Sequence, residues 1–159
     1  MKLITALFIG ALMTVSGSAA LAAGKAGYSI AGNWTMNAEK SKSSGPAFKS
    51  QTRTYSVAAD GTITMALKGE ASDGSAVTGG STFKYDGKDY AITGSSDFDT
   101  FSGKKVNAST VKVVLKKGGK VVGSGTRTFS DHGKVFTLSS KVKGPDGKSY
   151  TSSMVFEKQ

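Results

Sequence analysis

The sequence predicts an all-β protein: a single antiparallel up-and-down β-barrel of about nine or ten strands behind an N-terminal signal peptide. Three observations point there. Turn signals recur every 13 to 16 residues from residue 60 onward: Asp60-Gly61, Asp73-Gly74, Asp86-Gly87, Ser102-Gly103, Gly118-Gly119, His132-Gly133 and Asp146-Gly147. The segments between them alternate apolar and polar residues with the period of two that a half-buried strand requires. Helical periodicity is missing after the leader.

The elements follow in order. Residues 1–22 carry the parts of a secretory signal: Lys2, an apolar core from Leu3 to Val15, and the small-residue cleavage site Ala20-Leu21-Ala22. The apolar run is shorter than the roughly 20 residues of a membrane span, so the mature chain is expected to start at Ala23 with no membrane span. The barrel domain is then 23–159, exported to the periplasm or beyond. No cysteine follows the cleavage site, which excludes a lipid-modified amino terminus.

Strands are expected near 30–36, 51–59, 62–69, 76–85, 88–93, 98–106, 109–117, 120–130, 133–143 and 148–158. In 63–67, Ile63, Met65 and Leu67 share a face, and in 111–115 Val111, Val113 and Leu115 do. Phe136, Leu138 and Val142 oppose Thr137, Ser139 and Lys141, and Met154 pairs with Phe156 on one face. Abundant β-branched Thr and Val suit such strands. Only Asn37–Lys42 has the makings of a helical turn, capped by Asn37 and ended by Gly45-Pro46, within a loop over 37–50. Asp-Gly and Gly-Gly tolerate the positive φ of tight hairpins. A meander this long hides its edges most simply by closing on itself. A β-sandwich needs long crossover connections, which are hard to find here.

Composition narrows the function. With no cysteine, thiol catalysis and Cys-ligated zinc are excluded. The formal charge is +10, of which Lys2 leaves with the leader. That charge favours anionic partners such as envelope polymers. The 19 lysines are nonetheless dispersed, as suits the solvated face and protected edges of a sheet, and they form no stripe for nucleic acid. His132 stands alone in a turn, so no His-rich metal site is expected. Asp97-Phe98-Asp99 lacks the further oxygen donors of a calcium loop. No phosphate-loop spacing or nucleophile elbow occurs. Neither catalysis, a metal nor a cofactor is expected.

Gly32-Asn33-Trp34, at the start of the first strand, holds the only tryptophan. A Gly-x-Trp in this place resembles the calycin superfamily, which includes lipocalins, fatty-acid-binding proteins and avidins. The closing Val155–Gln159 is similar to the last-strand ending of fatty-acid-binding proteins. The rhythm as a whole resembles short, exported, lipocalin-like bacterial proteins. The resemblance implies that Gly32 and Trp34 plug one end of the barrel, with a basic side chain from another strand over the indole. It also implies a small-molecule binder. This chain departs from the pattern in several ways. The last-strand Arg-x-Tyr of fatty-acid-binding proteins reads Met154-Val155-Phe156, their helical lid has no room, and the C-terminal helix of lipocalins is absent.

Arg53 and Arg127 are the only arginines. Strand parity places Arg53 on a face with Tyr55 and Val57, and Arg127 on a face with Val121 and Phe129. Two readings stay open. An arginine stacks on Trp34 and closes the barrel end, or an arginine inside the barrel grips an anionic ligand, with Tyr55, Phe83, Tyr85, Tyr90 and Phe129 around it. The expected function is the binding of a small, partly apolar and anionic molecule. The alternatives are a cationic module on envelope polymers and a non-catalytic barrel filled by its own side chains.

Overall fold

The computed structural model describes residues 28–159. The signal peptide expected over 1–22 lies outside the described residues.

Ten strands follow one another: β1 (Gly32–Ser43), β2 (Phe48–Val57), β3 (Ile63–Ala71), β4 (Ala76–Phe83), β5 (Asp86–Ala91), β6 (Thr100–Lys105), β7 (Thr110–Lys117), β8 (Lys120–Ser130), β9 (Val135–Lys143) and β10 (Ser149–Lys158). The sheet order is β4-β3-β2-β1-β10-β9-β8-β7-β6-β5, every neighbouring pair being antiparallel. Sequence neighbours pair throughout except at one place. The first and last strands pair with each other, and β4 and β5 are left as the two edges. These edges meet at a seam held by the Thr93 amide donating to the Gly80 carbonyl (3.0 Å) and the Ser81 hydroxyl donating to the Ala91 carbonyl (2.6 Å). The architecture is thus a nearly closed up-and-down barrel. Among the described residues, no helix is long and apolar enough to cross a membrane.

The period-two faces fill the interior. Ile63, Met65 and Leu67 of β3, Val111 and Leu115 of β7, and Phe136 and Phe156 of β9 and β10 are all buried. Their rings form one continuous core: Trp34–Phe136 centroids are 4.6 Å apart, Phe136–Phe156 4.7 Å and Phe83–Phe101 4.8 Å. Offset and edge contacts of this kind stabilise beyond the burial of area alone.

Two expectations are corrected. The helical turn at Asn37–Lys42, and the loop over 37–50 around it, are absent: β1 runs on to Ser43 and β2 resumes at Phe48. The Asn37 side chain does accept from the Lys40 amide (3.0 Å), as a cap would, but the bond closes a wide bulge. Asn37 faces Val155 and Lys42 faces Ser153, so the extra residues of β1 loop out against β10. The Ser41 hydroxyl bridges the gap, donating to the Asn37 carbonyl and accepting from the Val155 amide. The second correction is Val121, which is 65% exposed and does not share the face of Arg127. Leu115 faces Gly123 and Lys116 faces Val121, so Val122 is an extra residue that inverts the alternation.

Candidate functional site

Among the described residues the buried amide and charged side chains are Gln51, Arg53 and Arg127, exposed by 1%, 9% and 6%. Gln51, Arg53 and Tyr55 are alternate residues of β2 and so point inward together. Arg127 comes from β8, where the stretch above the bulge keeps its inward parity beside Val111 and Leu138. The Arg53 Nε–H donates to Gln51 Oε1 at 2.7 Å. The Arg127 guanidinium donates to the Tyr55 hydroxyl at 3.1 Å and to the Tyr85 hydroxyl. Each cation also lies over a ring. Arg53 is 4.8 Å from the centre of Phe156, and Arg127 is 5.1 Å from Phe136 and 5.4 Å from Tyr55. Phe136 and Phe156 are themselves stacked, so the two guanidiniums share a common aromatic support.

No carboxylate enters this cluster. Among the described residues every Asp and Glu is at least partly exposed, and all five ion pairs are made by lysines. Two buried donors, Gln51 Nε2 and Arg127 Nε, have no partner. Burying an unpaired ion costs several kcal/mol even after relaxation. A desolvated cation–π contact returns about 2 kcal/mol and each hydrogen bond to a charged group about 1.5–3 kcal/mol. The guanidiniums are therefore held in place, yet their charge stays uncompensated and two donors stay idle. The titration of the neighbours reflects this. Burial pushes the Tyr55 phenol up, but Arg127 and Arg53 pull it down further, and its pKa falls below the ordinary tyrosine value. Burial dominates at Tyr85 and raises it, despite Arg127 beside it. Burial lowers Arg127, but the two phenols outweigh that, and its pKa is raised.

Trp34 is fully buried at one end of the barrel, donating from Nε1 to the Ile30 carbonyl at 2.7 Å. The expected arginine over the indole is not there. The cation over Trp34 is Lys158, 5.5 Å from the ring centre. Lys158 is directly opposite Trp34 in the β1–β10 ladder, whereas the arginines sit over other rings. Gly32 makes the arrangement possible, because a Cβ there would come within 2.8 Å of Lys158 Cε.

Of the residues singled out in the sequence, the structure gathers Arg53, Tyr55, Tyr85 and Arg127. It places Phe83 and Tyr90 beside the seam, where Tyr90 donates to Asp86 at 2.9 Å and faces no arginine. Phe129 packs on Trp34 and Tyr28. Gln51 and Lys158 were missed. Both were findable, since each stands two residues from an inward-facing neighbour, Arg53 and Phe156. At the Trp34 end lies a cavity of about 460 Å³ with Tyr28, Ile30, Ile63, Val111 and Phe129 in its wall. Tyr85 lines it too, and so stands between this cavity and Arg127.

No family model matches the chain, and no curated protein matches it in sequence. Among solved structures, the fluorescent protein UnaG superposes with a TM-score of 0.55 at 12% identity, over 82% of this chain and 97% of that one. Two further barrels match less well. EF1p2_mFAP2b bound to DFHBI has a TM-score of 0.46 at 14% identity, covering 82% of this chain and 94% of that one. The redesigned β-barrel mFAP1 bound to DFHBI has 0.40 at 18% identity, covering 79% and 93%. The likeness to UnaG is one of fold.

Proposed function

We propose that this barrel binds a small, partly apolar, anionic molecule, with Arg53 and Arg127 as its anchor. One observation carries the reading: two arginines are buried with no buried carboxylate near them, and idle donors at Gln51 Nε2 and Arg127 Nε complete a set that only acceptors satisfy. A carboxylate, sulfonate or phosphate accepts several such bonds at once and supplies the missing negative charge. The cavity at the Trp34 end offers an apolar wall of Ile30, Ile63, Val111 and Phe129 to the body of such a ligand, beside a polar wall with Asp60, Lys84, Asp86 and Lys105. Tyr85 stands between body and anchor. No acid–base pair or nucleophile stands in the cluster, so binding without catalysis is the reading. Export is part of it, resting on the leader at residues 1–22, and amino-terminal sequencing of the exported protein is expected to begin at Ala23.

The test compares an anilinonaphthalene sulfonate probe with neutral N-phenylnaphthylamine, which keeps the rings and lacks the anion. The wild type is expected to prefer the sulfonate. Arg127→Met should weaken that probe at least tenfold, leave the neutral one within about twofold, and hold or raise the melting temperature, because an unpaired interior charge destabilises. A second reading, a barrel filled by its own side chains, is favoured by the phenyl faces already covering both guanidiniums. It predicts the opposite: no preference for the anion, and a lower melting temperature for Arg127→Met.

A further inference from the structure

The outer face of β7 to β10 holds a groove of about 880 Å³ that reaches the end of β1, separate from the arginine cluster. Its lining follows from the register. One row across the sheet reads Lys112, Thr126, Ser139, Ser153 and Lys42, each residue paired with the next. The row beside it reads Val114, Ser124, Lys141 and Thr151, and the Ser44 hydroxyl continues it by accepting from the Thr151 amide at 2.9 Å. All of these residues line the groove, and no Asp or Glu does. Lys42, Lys112 and Lys141 are exposed and form no ion pair, unlike five other lysines of the described chain.

We propose that this groove binds an acidic polysaccharide chain laid across the strands. Strands are about 4.8 Å apart, so the two end lysines of the first row are about 19 Å from each other, too far for one small anion to bridge. The strand spacing is close to the length of one pyranose unit, so successive sugars meet successive strands. Serine and threonine hydroxyls both donate and accept, as sugar hydroxyls do. The lysines answer carboxylates or sulfates along the chain. Nucleic acid fits less well, since the groove offers no arginine and no aromatic platform for a base. A lipid surface fits less well too, since the only apolar side chains in the lining are Val113, which packs against the core, and Val114.

Calorimetry with an oligogalacturonate long enough to cross five strands tests this. The acid form is expected to bind, and its methyl ester at least tenfold more weakly. The triple variant Lys42→Gln, Lys112→Gln, Lys141→Gln should also bind the acid form at least tenfold more weakly. Lys68→Gln, Lys104→Gln, Lys120→Gln makes the same change in net charge outside the groove and should stay within twofold of wild type. Equal melting temperatures establish that both variants are folded. If the second triple loses as much as the first, the attraction is one of net charge and the groove is no site. If polyphosphate or a single-stranded oligodeoxynucleotide competes as well as the oligogalacturonate, the site does not recognise sugar. Either result overturns the proposal.

Discussion

Gly32 and Lys158 depend on each other. Gly32 has φ +123°, a backbone conformation that L side chains rarely adopt, and the space its side chain would need is taken by the stem of Lys158. That stem carries the ammonium over Trp34. Gly32→Ala therefore adds backbone strain of about 1–3 kcal/mol and displaces the lysine. Lys158→Met keeps the stem and removes the charge, and should cost about 0.5–1 kcal/mol, the range of an exposed cation–π contact. Denaturant titration of both variants checks this, and a Gly32→Ala protein as stable as wild type would remove the coupling. At this scale the sequence was partly legible. Parity alone turned Arg53 and Arg127 inward. It put Lys158 on the face of Phe156 as well, but Lys158 stays exposed, and parity alone does not show that its stem crosses the Trp34 ring. Which ring lies under which cation depends on cross-strand register, and alternation within one strand does not contain it.

The turns repeat one device. In β2–β3, β3–β4 and β9–β10 the closing backbone pairs Ala58–Thr62, Ala71–Ser75 and Gly144–Lys148 enclose three residues, ending in Gly61, Gly74 or Gly147 at φ +81°, +87° and +80°, the pattern of a type I turn followed by a left-handed glycine. The aspartate before each glycine accepts from the amide two residues on: Asp60 from Thr62, Asp73 from Ser75 and Asp146 from Lys148. Asp86 does the same with Lys88 at 3.0 Å. Hydrogen bonds to the ionised form hold these carboxyls below the ordinary aspartate value: the Lys84 side chain first at Asp60, the Ser75 hydroxyl at Asp73, the Lys88 amide at Asp86, and Tyr150 at Asp146. A carboxyl with a depressed folded pKa binds its proton more readily in the unfolded chain. Its contribution is full above the unfolded value and is lost as the pH falls through the folded one. The melting temperature should therefore hold steady above about pH 5 and fall between about pH 4 and pH 2. Replacing the four aspartates by asparagine, which keeps an acceptor without the titration, should flatten that fall. An unchanged acid slope would show that the turns do not cause it. Most of the hairpin beat was legible because glycine and aspartate act locally. Asp86-Gly87 and Ser102-Gly103, expected as turns, instead lie inside β5 and β6, and the β6–β7 turn is closed by the Val106 amide donating to the Thr110 carbonyl. The exact places of the bulges at Asn37–Lys42 and Val122 were not legible, because an extra residue exists only relative to the neighbouring strand.

The meander closes by joining its two ends, β1 to β10, and leaves its middle open. At the β4–β5 connection the Phe83 ring packs against Tyr85 and Tyr90, and the two strands form no ladder. Glycines at 79 and 94 allow the two edges to approach farther up, where Thr93 bonds Gly80. Few hydrogen bonds cross the seam, so local opening should begin there. Hydrogen exchange is expected to be fastest in β4 and β5 and slowest in β1, β9 and β10, which are paired on both sides. The seam also touches the proposed anion site, since Tyr85 belongs to the connection and accepts from Arg127. If opening the seam withdraws Tyr85 from Arg127, then a bound anion must be released before the seam opens. The sulfonate probe at a hundred times its dissociation constant should then raise the opening free energy of β4 and β5 by about 2.7 kcal/mol, as much as for global unfolding. Slowing confined to amides that exchange by global unfolding, with β4 and β5 unchanged, would mean that the seam opens without disturbing the arginines. The barrel would then breathe at its middle independently of what it holds.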